Sequence, residues 1–158
     1  MLMKRLLVLL IAMTGVLTVT CGQQAVPDSV AILGQWHLVS VQAEVYSQKD
    51  RELLGKKSID PKADASQLNM GVPLGIRMTK DSCSFSGREP IAGSYDIAPG
   101  GLLRIKQVIN PKFPAITKTY VYLVAPGKLE LTLPSVYRQD TELQQAVKVI
   151  YHCQYKRD

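Results

Sequence analysis

The side chains best suited to chemistry in this chain are three cysteines and two histidines. His37 and His152 stand in separate alternating runs, and no His-x-His, Cys-x-x-Cys or clustered Asp/Glu pattern marks a metal site. The Gly-x-Ser-x-Gly pattern of serine hydrolases and a phosphate-binding glycine loop are also missing from the sequence. We therefore expect no enzyme, no cofactor and no metal, with both histidines in surface or packing roles.

The first twenty residues predict a signal peptide. Lys4 and Arg5 precede an uncharged apolar run from Leu6 to Val19. This run is about fourteen residues long, whereas a membrane-spanning helix needs roughly 18 to 20. We therefore expect residues 1–20 to direct export.

The signal segment ends in Thr18-Val19-Thr20-Cys21-Gly22, which resembles the lipid-attachment site of bacterial lipoproteins. The resemblance implies that Cys21 becomes a lipidated N-terminus. The lipid would hold the protein on a membrane of the bacterial cell envelope, with the outer membrane as the expected location. Ordinary cleavage after Cys21 or Gly22, followed by soluble secretion, is the alternative.

The mature chain is predicted to consist of a tether and one domain. Residues 21–29 are polar and contain Pro27, which suits a short tether. Residues 30–158 are enough for one domain with a core of its own. Seventeen basic residues remain once Lys4 and Arg5 are removed from the 19 of the whole chain, against 13 acidic ones. They are scattered in ones and twos, which argues against a nucleic-acid footprint.

The domain is predicted to be all-β. Runs in which apolar and polar residues alternate with a period of two are joined mostly by short turns. Eight such strands form an antiparallel up-and-down barrel most simply, because each has one apolar and one polar face. The eight runs cover residues 34–46, 74–79, 82–86, 94–97, 103–109, 119–125, 128–133 and 147–156.

Two stretches depart from this regular pattern. Trp36 and Leu38 lie on the polar parity of the run that contains Val41 and Val45. Either a bulge between Leu38 and Val41 brings both sets inward, or the two ends of the strand face different layers. Residues 47–70 are charged and aperiodic, and they predict one long loop after the first strand, either a functional rim or a simple insertion. Helical turns are possible only near residues 50–54 and 140–147.

Three phrases give the chain a resemblance to the lipocalin-like (calycin) domains of Bacteroides-type lipoproteins. They are Leu33-Gly34-Gln35-Trp36-His37-Leu38-Val39-Ser40-Val41, Gly93-Ser94-Tyr95-Asp96-Ile97 and Tyr155-Lys156-Arg157. The resemblance implies a barrel that Trp36 plugs at one end, with Lys156 or Arg157 stacked over the indole. A fainter resemblance, carried by Cys83-Ser84-Phe85-Ser86-Gly87, is to META-type domains.

A lipocalin-like barrel would bind a small apolar ligand inside. The alternative is a filled barrel that acts as an interaction protein of the cell envelope, with its outer face or the 47–70 loop binding a protein or a glycan. The residues expected to line a ligand cavity are Trp36, Ile76, Phe85, Tyr95, Ile105, Val121, Leu131 and Tyr151.

Cys83 and Cys153 both fall on core-facing positions, in a compartment that permits disulfides. Chain entropy would assign a bond between them roughly 4 kcal/mol of stabilisation. Strand order argues against the bond, because the third and last strands of an up-and-down barrel are not neighbours. Both a disulfide and two separately buried thiols remain open at this point.

Overall fold

The structure is a computed structural model, which describes residues 28–63, 68 and 71–158. The predicted signal peptide, the predicted lipid-attachment residue Cys21 and residues 22–27 of the predicted tether lie outside these ranges. Within them the chain forms one short helix and ten strands. These are α1 (Asp28–Ala31), β1 (Gly34–Ser47), β2 (Leu53–Ile59), β3 (Gly75–Met78), β4 (Cys83–Ser86), β5 (Ile91–Ala98), β6 (Leu102–Gln107), β7 (Ile116–Ala125), β8 (Lys128–Thr132), β9 (Val136–Asp140) and β10 (Gln145–Arg157).

Eight of the strands close a barrel. They follow the order β1-β3-β4-β5-β6-β7-β8-β10, and β10 pairs antiparallel with β1 to complete the ring. Every pair of neighbours in the ring is antiparallel. The predicted all-β, eight-stranded up-and-down barrel is therefore confirmed.

Two further strands extend the barrel on one side. Because β1 and β10 are 14 and 13 residues long, they continue past the ring as a paired ribbon. β2 pairs with this part of β1, and β9 pairs with this part of β10. The prediction of a structureless loop over residues 47–70 is therefore wrong where β2 lies. No helix forms at 140–147, where a turn leads into β10 instead.

The conflict in the first strand is resolved by a β-bulge. The register between β1 and β10 shifts between Leu38 and Ser40, so Val39 is an extra residue that points outward. Trp36 and Val41 are both buried as a result. The bulge predicted between Leu38 and Val41 is confirmed.

Side chains from all eight barrel strands fill the middle of the barrel. Phe85 on β4 and Tyr120 on β7 meet across it, with ring centroids 5.4 Å apart and planes at 59°. The core of the ring contains Trp36, Val41, Ile76, Met78, Cys83, Phe85, Ile91, Leu103, Ile105, Tyr120, Tyr122, Leu129, Leu131, Tyr151, Cys153 and Tyr155.

One end of the barrel is filled by Trp36 and by Ile32, which directly follows α1, and both side chains are fully buried. The indole Nε1 donates a hydrogen bond to the Ile32 carbonyl at 2.8 Å. The Arg157 guanidinium lies 4.6 Å from the Trp36 ring centroid and donates to the Ala31 carbonyl. Gly34 has a φ of 126°, which only glycine adopts readily. The plugging role of Trp36 and the basic residue stacked over it are confirmed, with Arg157 rather than Lys156 in that position.

The described contacts of the domain begin before Val30, because Asp28 at the start of α1 is bonded to β7. Tyr122 on β7 donates a hydrogen bond from its hydroxyl to the Asp28 carboxylate at 2.9 Å. Barrel closure and the core involve residues 32 to 157. A chain that starts at Gly22 therefore retains every contact that makes the barrel.

Candidate functional site

The end of the barrel opposite Trp36 contains a cavity of about 280 Å³. The Leu133 amide donates to the Tyr151 carbonyl at 2.9 Å, and Tyr151 is six residues before Arg157, which pairs with Trp36. At about 3.3 Å per strand residue, some 20 Å of β10 separates the plug from this cavity. It is lined by Gly71, Glu89, Ile91, Lys118, Tyr120, Leu133, Pro134, Ser135, Val136 and Tyr151.

The floor of this cavity is apolar and uncharged. Ile91, Tyr120, Leu133 and Tyr151 are all buried. Burial raises the pKa of Tyr120 to about 12, with a smaller contribution from Cys83, so its phenol is neutral at ordinary pH. A small apolar molecule could displace water here without leaving a buried charge unpaired.

The rim of the cavity carries the charged groups. Lys118 lies on the inward parity of β7, two residues before Tyr120, and it is half-buried. Glu89 is exposed on the other side. An ammonium at the edge of an apolar floor could bind one polar or anionic group of a ligand. The arrangement therefore suits a small molecule with a mainly apolar body and one polar end.

Only one residue of the predicted cavity set lines this cavity, and it is Tyr151. The prediction for Val121 is wrong, because this side chain is 50% exposed on the outer face while Tyr120 and Tyr122 point inward. Tyr95 is partly buried, and its hydroxyl donates to the Thr79 carbonyl at 2.7 Å. The remaining predicted residues are packed in the core: Trp36, Ile76, Phe85, Ile105 and Leu131.

The sequence prediction missed most of the cavity wall. Alternation places Tyr120 on the face of its strand opposite to the predicted cavity residue Val121, and Ile91 and Val136 lie outside the predicted strands. Leu133 did end the cleanest alternating run, with Leu129 and Leu131. Because Leu133 is the last apolar residue of that run, the sequence places it at one end of the barrel, where a cavity could lie.

A second, more polar cleft of about 460 Å³ lies between β2 and the turn that joins β9 to β10. Both signs of charge are present, since Lys57 and Arg138 occur with Asp140 and Glu142. Such a cleft could bind a polar partner through hydrogen bonds. The full lining is Val45, Leu54, Gly55, Lys56, Lys57, Arg138, Gln139, Asp140, Thr141, Glu142 and Leu143.

The two histidines contact different carboxylates. His37 Nε2 lies 2.7 Å from Asp158 Oδ1 at the exposed end of β1. His152 Nδ1 lies 3.0 Å from Thr132 Oγ1, and its Nε2 lies 3.4 Å from Glu44 Oε2. Within the described residues no group of three or more His, Cys, Asp or Glu side chains could hold a metal ion.

Glu44 is the centre of a polar network on the outer face of β1. Its carboxylate accepts hydrogen bonds from Lys56 Nζ at 2.6 Å and from the Tyr46 hydroxyl at 2.7 Å. The hydrogen bond from Lys56, followed by that from Tyr46, lowers the Glu44 pKa to about 2. The network joins β1 to β2 and, through His152, reaches β10.

The fold and the site were compared with known proteins. No protein-family model, curated protein or solved structure matches this chain.

Cys83 and Cys153 are free and buried in the structure. They lie on β4 and β10, which are not neighbours in the barrel. Burial raises the pKa of the Cys83 thiol to about 11 and that of Cys153 to about 12. Of the two outcomes left open by the sequence, the structure has the separately buried thiols, which are poor nucleophiles because the thiolate is the reactive form.

Among the described residues, no helix is long and apolar enough to cross a membrane.

Proposed function

We propose that this chain is an exported, lipid-anchored, lipocalin-like barrel protein that binds one small, mainly apolar molecule at the open end of the barrel. The observation that carries the proposal is the cavity of about 280 Å³ whose floor is formed by buried apolar and phenolic side chains. Pockets for small molecules typically measure about 300 to 1,000 Å³ and are mostly apolar with a few polar groups. This cavity lies just below that range, so the ligand is small.

The filled middle of the barrel supports a ligand site at its mouth rather than deeper inside. Core side chains such as Phe85, Ile105 and Leu131 occupy the space that a ligand would need deeper in. The ligand therefore sits at the mouth, with its apolar body on Tyr120 and Tyr151 and its polar end towards Lys118.

The proposed anchor is supported by the sequence around Cys21. A lipid attached there would be joined to α1 by residues 22–27. Changing Cys21→Ser should release the protein from membranes washed at high salt and abolish labelling with a fatty-acid probe. Equal membrane association and equal labelling of the two forms would refute lipidation without touching the ligand proposal.

Ligand binding is tested with the chain from Gly22 to Asp158 and the neutral apolar dye N-phenyl-1-naphthylamine. Val136 is half-buried and lines the cavity, so Val136→Trp should fill it and reduce dye affinity at least about tenfold. Fluorescence titration measures the affinity.

The matched control is Val121→Trp. The same substitution is made there on the outer face of β7, so dye affinity should equal that of the unchanged chain. Thermal unfolding shows that both variants fold. Equal dye affinity in all three proteins, or no dye binding to the unchanged chain, would contradict the proposal.

A second candidate function is supported by the polar cleft beside β2. Here the barrel would act as an envelope interaction protein, and the 47–70 segment would supply one wall for a glycan or a peptide. Lys57→Gln and Arg138→Gln, which change two cleft residues on opposite walls, should then weaken partner binding while leaving dye binding intact.

A further inference from the structure

The connection between β6 and β7, residues 108–115, exposes large apolar side chains. Val108, Ile109 and Phe113 are 63%, 70% and 69% exposed, and Ile116 at the start of β7 is also exposed. Single exposed apolar residues are common on protein surfaces, but a cluster marks an interaction site. We call residues 108–116 the apolar tip.

The apolar tip has a defined conformation. The Asn110 side chain accepts a hydrogen bond from the Lys112 amide at 2.9 Å, and the Asn110 carbonyl accepts one from the Phe113 amide at 3.0 Å. Pro111 follows Asn110, a combination that favours a tight turn. Ile109 and Phe113 are therefore held outward on either side of this turn, and little entropy is lost when they bind.

The stretch of sequence that contains the apolar tip carries basic charge only. From residue 97 to residue 129 the sequence contains no Asp or Glu, while it contains five basic residues. Two of these are paired with carboxylates, because Arg104 lies against Asp96 and Lys128 Nζ lies 2.6 Å from Glu130 Oε1. Lys106 precedes the tip and Lys112 is part of it, and both side chains are exposed.

We propose that the apolar tip is a membrane contact, in which Ile109 and Phe113 enter the interface of an anionic lipid bilayer and Lys106 and Lys112 lie against its phosphates. A protruding apolar turn with basic residues at its base matches a surface that is negative outside and apolar beneath. A folded protein partner would need a groove shaped for this turn, whereas a fluid bilayer accepts it without a matching shape.

The position of the tip is compatible with the lipid anchor that the proposed function includes. Six residues, 22–27, separate Cys21 from α1, and a fully extended chain of that length spans at most about 20 Å. α1 contacts β7 at Tyr122, which is six strand residues, also about 20 Å, from Ile116. An anchored barrel lying on its side could therefore place the tip on the same bilayer. The membrane contact of the tip is tested on a chain without Cys21. A failure of the tip proposal therefore does not imply that the lipid anchor is absent, and the reverse also holds.

Cosedimentation of the chain from Gly22 to Asp158 with lipid vesicles tests the proposal. We expect binding to vesicles of phosphatidylcholine with phosphatidylglycerol, weaker binding to phosphatidylcholine alone, and a decrease with added salt. The double variant Ile109→Ser/Phe113→Ser should bind at least about tenfold more weakly, because two large side chains no longer enter the interface. Lys112→Gln should weaken binding to the anionic vesicles only.

Leu123→Ser is the matched control, because Leu123 is 64% exposed on β7 but lies away from the tip. It should bind as the unchanged chain does. Thermal unfolding establishes that each variant folds. Equal vesicle binding by the double variant and the unchanged chain would overturn the proposal, and so would the absence of binding to anionic vesicles, even if the tip captured a protein.

A spectroscopic readout is available in the folded protein. Trp36 is the chain's only tryptophan and is fully buried, so its emission should not change with vesicles. In Phe113→Trp the new indole should shift to shorter wavelength with anionic vesicles and be quenched by brominated lipid. An unchanged spectrum would place the tip outside the bilayer and refute the proposal.

Discussion

At the scale of single residues, Arg157 connects the two ends of the chain. Its guanidinium covers the Trp36 indole and donates to a carbonyl of α1, while Trp36 donates to Ile32. Cation–π contacts contribute about 0.5 to 2 kcal/mol, depending on how far the cation is desolvated. Because β1 and β10 begin and end at this point, the contact helps to hold the barrel's closing seam.

Glu44 makes the stability of the protein depend on pH in acid. Its folded-state pKa is about 2, against an ordinary value of 4.5, because Lys56 and then Tyr46 donate hydrogen bonds to the charged form. A lowered pKa gives stabilisation that is complete above pH 4.5 and is lost as the pH falls towards 2. At neutral pH, Glu44→Gln should have a lower free energy of unfolding than the unchanged chain. This difference should become smaller as the pH falls from 4.5 towards 2.

The measurement is urea unfolding at a series of pH values, followed by fluorescence. Glu142→Gln, on the exposed turn between β9 and β10, is the control and should follow the pH curve of the unchanged chain. A deficit for Glu44→Gln that stays constant from neutral pH to pH 2 would show that the network does not favour the carboxylate.

At the scale of strands, the outcome of each prediction depended on whether one face was distinctly polar. The run ending in Leu129, Leu131 and Leu133 alternates cleanly, so its inward face was predicted correctly. In β7 both parities are apolar, with Tyr120 and Tyr122 on one and Val121 and Leu123 on the other. Alternation cannot decide which of two apolar faces points inward. The prediction that the face with Val121 points inward is wrong, because Tyr120 and Tyr122 are the buried residues.

In β1 the apolar residues change from one face of the strand to the other, and this change is itself a signal in the sequence. Trp36 and Val41 lie on opposite faces of a regular strand, so the sequence predicts either a bulge or a strand whose two ends face different layers, and the structure has the bulge. β2 gave no such signal, because all of its residues except Ile59 are exposed and it has no apolar face. It forms because the β1 edge is free to pair there.

Gly93 shows how closely β5 and β6 approach. A Cβ built on this residue would lie 2.1 Å from the backbone carbonyl oxygen of Lys106, which cannot move without displacing β6. Gly93→Ala should therefore destabilise the protein by about 3 kcal/mol, near the upper end for overpacking. Urea unfolding measures the loss.

Gly55→Ala on β2 is the matched control, because a Cβ there meets nothing within 4 Å. Its effect should stay within about 0.5 kcal/mol, as for other surface substitutions. Equal costs at the two positions would mean that β5 and β6 are not packed as closely as the structure has them.

At the scale of the whole molecule, the strand pattern determined the barrel but not how full it is. Eight alternating runs predict a closed antiparallel ring, which the structure confirms. Whether a ring of eight strands holds side chains or a ligand depends on strand tilt and on what plugs its ends. These quantities depend on contacts such as that of Ile32 with Trp36, which local alternation does not encode.

The barrel need not open equally everywhere, and the two buried thiols can report where it opens first. Cys83 lies on β4, which is four residues long and pairs with the equally short β3. Cys153 lies on β10, which is thirteen residues long and closes the ring against β1. Short strands with few hydrogen bonds open at lower free energy than long ones.

We therefore expect Cys83 to react faster than Cys153 with iodoacetamide in native buffer. Both reactions should be slow, because burial raises the two pKa values to about 11 and 12. Cys83→Ala and Cys153→Ala allow each rate to be measured separately by mass spectrometry. Low urea should accelerate Cys153 more steeply than Cys83, because its exposure requires the whole ring to unfold. Equal alkylation rates with equal urea dependence would mean that the barrel opens only as one unit. If the denatured chain cannot be alkylated without reductant, the two cysteines are bonded.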